Sequence, residues 1–411
     1  MREKKTTSPM AAEGAPTRIW NTSFTSVFVS CIALFMSQMM MNSLVAKYAY
    51  SLGATETQVG LTVSMFAVTA LLFRVVSGPA TDSFNRKFLL IGAMLVLAGS
   101  YLGYSFSGSV GMLQAFRLLQ GAGMAFTSTV CLTLAADALP PDKMGVGIGV
   151  FSMTQAASQA IGPATGLALV DALGYGPTFT IGAIMMIVAV LVALGIKTRP
   201  REKKQFKVAL NSILAPEAVL PAIMVFFLTL AFVAINSFLI IYAEGLGVFN
   251  IGYYFTVYAG TLLVTRPIVG KLTDRYGIVK IAVPAMCFFA ASFVIISHAT
   301  NLPMFLIAAF IAAFGYGACQ PAFLTLCVKC VPENHRGAAS STTYVALDIA
   351  MLSGPVIAGL AIEQFGYNAM WQIMIAPMLV SAVIALVFRK KIAKIETDFA
   401  LRSQTAESLT S

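Results

Sequence analysis

Long apolar runs, separated by short polar breaks, recur along the whole chain. With a window of about 20 residues, the length a helix needs to cross bilayer hydrocarbon, they fall near 22–46, 56–79, 87–107, 109–134, 144–170 and 175–196. A second set follows near 217–244, 249–272, 279–299, 302–330, 337–363 and 367–389. The runs are continuous rather than alternating, and a segment in hydrocarbon must satisfy its own backbone polar groups, so they predict helices and not barrel strands. The expected fold is an all-α integral membrane protein with twelve transmembrane helices. One long polar connection splits them into an N-terminal tail (1–21), a six-helix bundle (22–196), a basic linker (197–216), a second six-helix bundle (217–389) and a C-terminal tail (390–411).

Composition removes the soluble alternative: 58% of the 411 residues are hydrophobic, only 11% are charged, and mean hydropathy is +0.82. A net charge of +10 raises nucleic acid as a partner, but the basic residues are not gathered on one surface. Apart from Lys47 in an odd-numbered loop and Arg74, Arg117 and Arg266 inside spans, every Lys and Arg lies in a tail or an even-numbered loop. That bias puts both termini in the cytoplasm of a multi-pass protein of the inner (plasma) membrane. The basic linker then lies against anionic headgroups. Met1 to Trp20 has no short apolar core with a small-residue cleavage site, so no cleaved signal peptide is expected.

Other chemistry is excluded quickly. The six cysteines form no spaced framework, and Cys327 with Cys330 lacks the second pair or histidines of a zinc site, so two packed thiols are expected. His298 and His335 fall in loops on opposite sides, which leaves no buried histidine for acid–base catalysis. The G-x-G-x-G run from Gly145 to Gly149 has no following lysine and cradles no phosphate. The chain is expected to be no enzyme and to use no cofactor or metal.

The two sets of spans repeat at one offset. Arg74 and Arg266 stand 192 positions apart, as do Gly78 and Gly270, Thr81 and Thr273, Asp82 and Asp274, and Gly162-Pro163 and Gly354-Pro355. Parallel six-helix repeats about an axis normal to the membrane are the arrangement of alternating-access carriers. The loop after span two, Gly78-Pro79-Ala80-Thr81-Asp82-Ser83-Phe84-Asn85-Arg86-Lys87, resembles the signature loop of the major facilitator superfamily. Gly78 would let helices approach closely, and Asn85 stands where a turn could need a left-handed residue. Leu113, Arg117, Gln120, Gly121 and Gly123 resemble that superfamily's span-four element. Gly162-Pro163 with Gly166 resembles the core of the span-five element of its proton-driven exporters, although Ser158 and Leu167 replace flanking glycines. The chain looks most like the twelve-span drug/proton antiporters.

The resemblance implies a cytoplasmic gate at Gly78, Asp82, Arg86 and Lys87, with Asp137 as the partner of Arg86 or Lys87 and Gly270 and Asp274 as the second copy. It also implies a hinge and proton seal at Gly162, Pro163 and Gly166, and equivalently at Gly354 and Pro355. Close helix packing through small residues is the alternative there, and is preferred for the Gly99/Gly103 and Gly145/Gly149 pairs.

Ionisable residues deep in spans mark function by default. At about 1.5 Å per residue, Arg117 lies roughly 12 Å below the outer surface and Asp348 roughly 16 Å from the inner one, both near the midplane. Arg74 and Arg266 are placed nearer the cytoplasmic surface, where they could snorkel to phosphates. Asp348 is the expected proton-coupling carboxylate, since holding it ionised at the bilayer centre costs about 3 kcal/mol. A carrier that brings it to Arg117 in one state and separates them in another could load and release a proton. Arg117, Gln120, Gln38, Asn42, Asn236, Gln320 and Tyr344 are the candidate substrate-cavity residues, with Gln155 and Gln159 in spans that could line it too. Span one has no acidic residue, so a neutral, zwitterionic or anionic substrate fits, and Arg117 would suit a carboxylate.

The expectation is a secondary active transporter that exports a small molecule, drug or metabolite, by alternating access. Its energy source is the proton gradient, and its partners are that substrate, protons and lipid, without nucleic acid; it acts as a monomer. Proton-coupled uptake uses the same parts, and a non-transporting membrane sensor is the rival from another class.

Overall fold

A computed structural model describes residues 18–140, 143–197, 215–331 and 336–410. Regular structure among the described residues is entirely helical. The first six helices are α1 (Thr22–Ser51), α2 (Glu56–Ser83), α3 (Arg86–Ser105), α4 (Val110–Asp137), α5 (Met144–Leu173) and α6 (Tyr175–Ala193). After a single 3₁₀ turn at Pro216–Ala218 come α7 (Val219–Gly245), α8 (Tyr253–Tyr276), α9 (Ile278–Ser297), α10 (Leu302–Lys329), α11 (Arg336–Ile373), α12 (Ile375–Val387) and α13 (Arg389–Thr410). Continuity of α11 is broken at Gly366, whose φ of 79° is non-helical, so the chain turns there and re-enters the bundle toward α12.

Nine stretches of the described residues are long and apolar enough to cross a membrane, the last of them Ser341–Val387 with the Gly366 turn inside it. Helices α5 and α8 occupy the expected fifth and eighth spans. Apolar side chains such as Leu72, Ile184, Leu191, Val264, Phe288 and Val383 point outward, as lipid contact requires.

Local sequence explains the ends. Asn21, Ser109 and Asn301 accept backbone N–H groups at the starts of α1, α4 and α10, and Thr55 with Gln58 makes a capping box on α2. The two signature loops turn differently. Asn85 is extended (φ −68°) and caps α3 by accepting from the Lys87 N–H at 3.0 Å, so the expected left-handed turn is not formed: its side chain fills the cap instead. The equivalent Gly277 does adopt a left-handed φ of 87°.

The packing also repeats. Helix α1 packs on α5 and α6, α3 on α4 and α6, and α2 on α4; in the later set α7 packs on α11 and α12, α9 on α10 and α12, and α8 on α10. The sets meet along two seams, α2 with α11 and α5 with α8. Each seam has a glycine at its tightest point. A Cβ on Gly60 would lie 2.1 Å from the Pro355 carbonyl oxygen, and one on Gly252 would lie 3.0 Å from Ala164 Cα. Thr57 bonds Glu363 across the first seam, Thr256 bonds the Ala160 carbonyl across the second, and Lys47 bridges α1 to Glu244 of α7 at 2.6 Å. All these contacts lie at the end of the bundle away from the described chain termini.

The C-terminal tail is helical, as α13. Ile392 is fully buried against the bundle and Ile395 packs beside it. The Glu396 carboxylate accepts the Ile278 N–H at the start of α9 (3.0 Å), where a helix leaves N–H groups unpaired.

Candidate functional site

Below the outer contacts the two helix sets enclose a cavity of about 970 Å³. It reaches from Asn42, Arg117 and Asn236 to Thr325 and Lys329 near the opposite helix ends, on the side where both described termini emerge. Helical periodicity delivers its polar wall. Gln38 and Asn42 share a face of α1, Gln155 and Gln159 a face of α5, and each pair is one turn apart. With Asn236, Gln320 and Tyr344 they line the space. Asn236 and Gln155 are exposed although they lie within helices of membrane-crossing length, because the cavity is what they face.

Asp348, 4% exposed on α11, is held by Arg74 of α2. Arg74 Nε donates to Oδ2 at 2.5 Å and Nη2 to Oδ1 at 3.1 Å. The guanidinium also lies 4.9 Å from the Tyr344 ring centroid, a cation–π contact. Two expectations change. The carboxylate's partner is Arg74 and not Arg117, and Arg74 does not snorkel to the surface. The apolar run of span two stops near residue 79, but α2 continues through Pro79 to Ser83, which places Arg74 more than two turns inside the helix.

Arg117 is 1% exposed and fully engaged. It donates from Nε to the Thr62 carbonyl (3.2 Å), from Nη2 to the Val63 carbonyl (2.6 Å), and from Nη1 to Gln120 Oε1 (2.6 Å) and Asn42 Oδ1 (3.1 Å). The Phe66 ring covers it at 4.7 Å. Its fork ties α1, α2 and α4 together, which answers the expected carboxylate role with a carbonyl and amide cluster. Gln120, expected in the cavity, stands behind the wall: it is fully buried and accepts from the Tyr104 hydroxyl at 2.6 Å.

At the opposite end, Arg86 is the basic residue that pairs with the Asp137 carboxylate and it also donates to the Thr81 carbonyl, while Lys87 Nζ donates to the Leu194 carbonyl. The side chains of Asp82 and Asp274 lie outside the described residues. Gly78 and Gly270 do not serve a close helix approach: no heavy atom would lie within 4 Å of an added Cβ at either, because the helix sets stand apart at this end. The hinge glycines do pack tightly. Gly162 and Gly166 sit on Met39 and Met40 of α1, Gly354 on Val233 and Leu230 of α7, and Pro163 and Pro355 line the cavity. Of the other small pairs, Gly103 abuts Phe116, whereas Gly99 and Gly149 meet nothing.

Several lining residues are absent from the cavity candidates read from sequence: Lys329, Tyr254, Tyr258 and Tyr316, and also Arg266, which that reading places near the cytoplasmic surface. Gly60 and Gly252, the seam glycines, also went unnoticed. They too stand 192 positions apart, a signal the repeat already contained.

The sequence model of the Major Facilitator Superfamily matches the chain in two stretches, residues 27–248 and 221–409. An MFS-type transporter of Methanocaldococcus jannaschii is 24% identical over 383 residues, covering 89% of this chain and 96% of its own. The multi-drug resistance efflux pump PmrA of Streptococcus pneumoniae is 24% identical over 340 residues, 79% of this chain and 85% of its own. Among solved structures, a peptide transporter POT in complex with sulfate has a TM-score of 0.77 at 15% identity, over 90% of this chain and 95% of that one, a likeness of fold.

Proposed function

The chain belongs to the Major Facilitator Superfamily, a family of secondary transporters and not of enzymes, and we propose that it exports a small molecule in exchange for protons. The observation that carries the coupling is the Arg74–Asp348 ion pair, which joins the two helix sets inside the cavity wall. With twelve spans and both termini in the cytoplasm, as the basic bias favours, the cavity opens inward. An ionised Asp348 held by Arg74 is then the state that has released its proton to the cytoplasm and can load substrate. Once the two six-helix bundles rock to open outward, substrate leaves and Asp348 takes a proton. Neutral Asp348 no longer holds Arg74 as an ion pair, so each protonation state favours its own arrangement. Export is supported by relatives such as PmrA. The proton gradient is the energy source, no cofactor takes part, and the monomer in the inner membrane is the working unit. Asp82, together with the Arg86–Asp137 pair and with Asp274 in the second copy, gates the cytoplasmic mouth.

The test is a solute screen on proteoliposomes under an imposed pH gradient. Solute-dependent proton movement opposite to solute movement is expected. Movement in the same direction makes the protein an uptake symporter, and solute flux without proton flux removes the coupling.

A further inference from the structure

We infer that the cavity takes an amphiphilic organic anion, with Arg266 as its counter-charge. This rests on the transporter reading and narrows it to a substrate class. Under the 192-residue repeat, Arg266 on α8 is the equivalent of Arg74 on α2, and position 156 on α5 is the equivalent of Asp348 on α11. Position 156 is alanine. The equivalence holds in topology: α8 packs on α5 where α2 packs on α11, though more loosely, with Gly252 and Gly60 at corresponding points of the two seams. One arginine is therefore neutralised by a carboxylate from the facing helix, and the other has only an alanine at the equivalent position. Arg266 and Ala156 both line the cavity, and among the described residues no acidic side chain pairs with Arg266.

The surroundings suit a ligand with a charged head and an apolar body. Tyr258 and Tyr316 are electrostatic neighbours of Arg266. Phe232 stacks on Tyr316 with centroids 4.0 Å apart and lies 5.8 Å from Tyr258, an aromatic shelf beside the charge. The hydroxyl of Tyr258 is buried without a hydrogen-bond partner among the described residues. Arg74, Arg117, Arg266 and Lys329 face Asp348 as the only carboxylate among the described lining residues. Arg266 is exposed to the cavity, so its guanidinium is accessible to a ligand. A carboxylate, sulfonate or phosphate meets a guanidinium through paired, charge-assisted bonds.

Two planar dyes of opposite charge, fluorescein (anionic) and ethidium (cationic), test this by fluorescence polarisation on the purified protein in detergent micelles. Fluorescein is expected to bind in preference to ethidium. Arg266→Gln should weaken it roughly tenfold or more, the scale of one charge-assisted bond, and Arg266→Lys should weaken it less. Ala156→Asp, which supplies the missing carboxylate, should weaken fluorescein comparably and improve ethidium. Binding of neither dye, of ethidium alone, or of fluorescein with unchanged affinity in both Arg266→Gln and Ala156→Asp overturns the anion site. Proton movement in proteoliposomes separates the two readings. Ethidium-driven exchange without fluorescein-driven exchange keeps the transporter and discards the anion, whereas solute flux without any proton movement discards the coupling and leaves the anion site to the polarisation assay.

Discussion

Removing the charge of Asp348 tests the coupling scheme most directly. The pair is intermediate between surface and core, with side-chain exposures of 5% for Asp348 and 17% for Arg74. Exposed pairs contribute about 0.2–1 kcal/mol, and breaking a fully buried one costs about 3–5 kcal/mol. Water in the cavity reaches Arg74, so about 2–3 kcal/mol is expected here, between those limits. Because the bond spans α2 and α11, that energy favours the inward-open arrangement. Asp348→Asn should then shift the inward-to-outward ratio toward outward by roughly 30- to 150-fold. Spin labels at Tyr50 and Leu246, on the outer ends of α1 and α7, would report the shift as a longer distance. In proteoliposomes the same variant should lose gradient-driven accumulation and keep downhill exchange. A double-mutant cycle with Arg74→Gln isolates the pairwise energy. A coupling below about 0.5 kcal/mol, the range of exposed pairs, or an Asn variant that still concentrates substrate with unchanged pH dependence, would refute the scheme.

Arg117→Lys should destabilise the protein by about 2–3 kcal/mol, since an ammonium has no planar fork to serve two carbonyls and two amides at once; wild-type resistance to SDS unfolding in mixed micelles would contradict this. Gly60→Ala should hinder outer closure and slow turnover more than Gly252→Ala, because its Cβ would meet a carbonyl oxygen at 2.1 Å rather than a Cα at 3.0 Å; equal turnover at equal expression would count against the seam. Reporter fusions in the N-terminal tail, the 197–216 linker and the C-terminal tail should all report cytoplasm, and a periplasmic C-terminus would break the twelve-span count.

Much of the architecture was legible because hydrocarbon leaves a helix few options. A polar side chain inside a span must face protein or water, and Gln38, Asn42, Asn236 and Gln320 do line the cavity. Depth was less legible. Counting from the end of an apolar run misplaced Arg74, since α2 outlasts its apolar stretch. Partner choice was not legible at all: Arg74 and Asp348 are 274 positions apart, and only the seam between α2 and α11 brings them together. Gln120 shows the limit of periodicity, because one turn from a cavity residue was enough to point it toward Tyr104. The α13 helix escaped notice since its charged sequence buries little beyond Ile392 and Ile395.

The two seams, alike in backbone, are unequal in what fastens them. Between α2 and α11 run a carboxylate–guanidinium pair and the Thr57–Glu363 bonds, whereas between α5 and α8 the described residues show one hydroxyl-to-carbonyl bond, from Thr256 to Ala160. Parting the second seam forfeits a neutral bond of about 1 kcal/mol, and parting the first forfeits charge-assisted ones. In the proposed cycle a lopsided opening follows: the α5–α8 flank parts first, and the α2–α11 seam yields last, as its Arg74–Asp348 pair separates. On the proposal that the chain exports an amphiphile, one released at the α5–α8 flank would meet the outer leaflet sideways before it meets water.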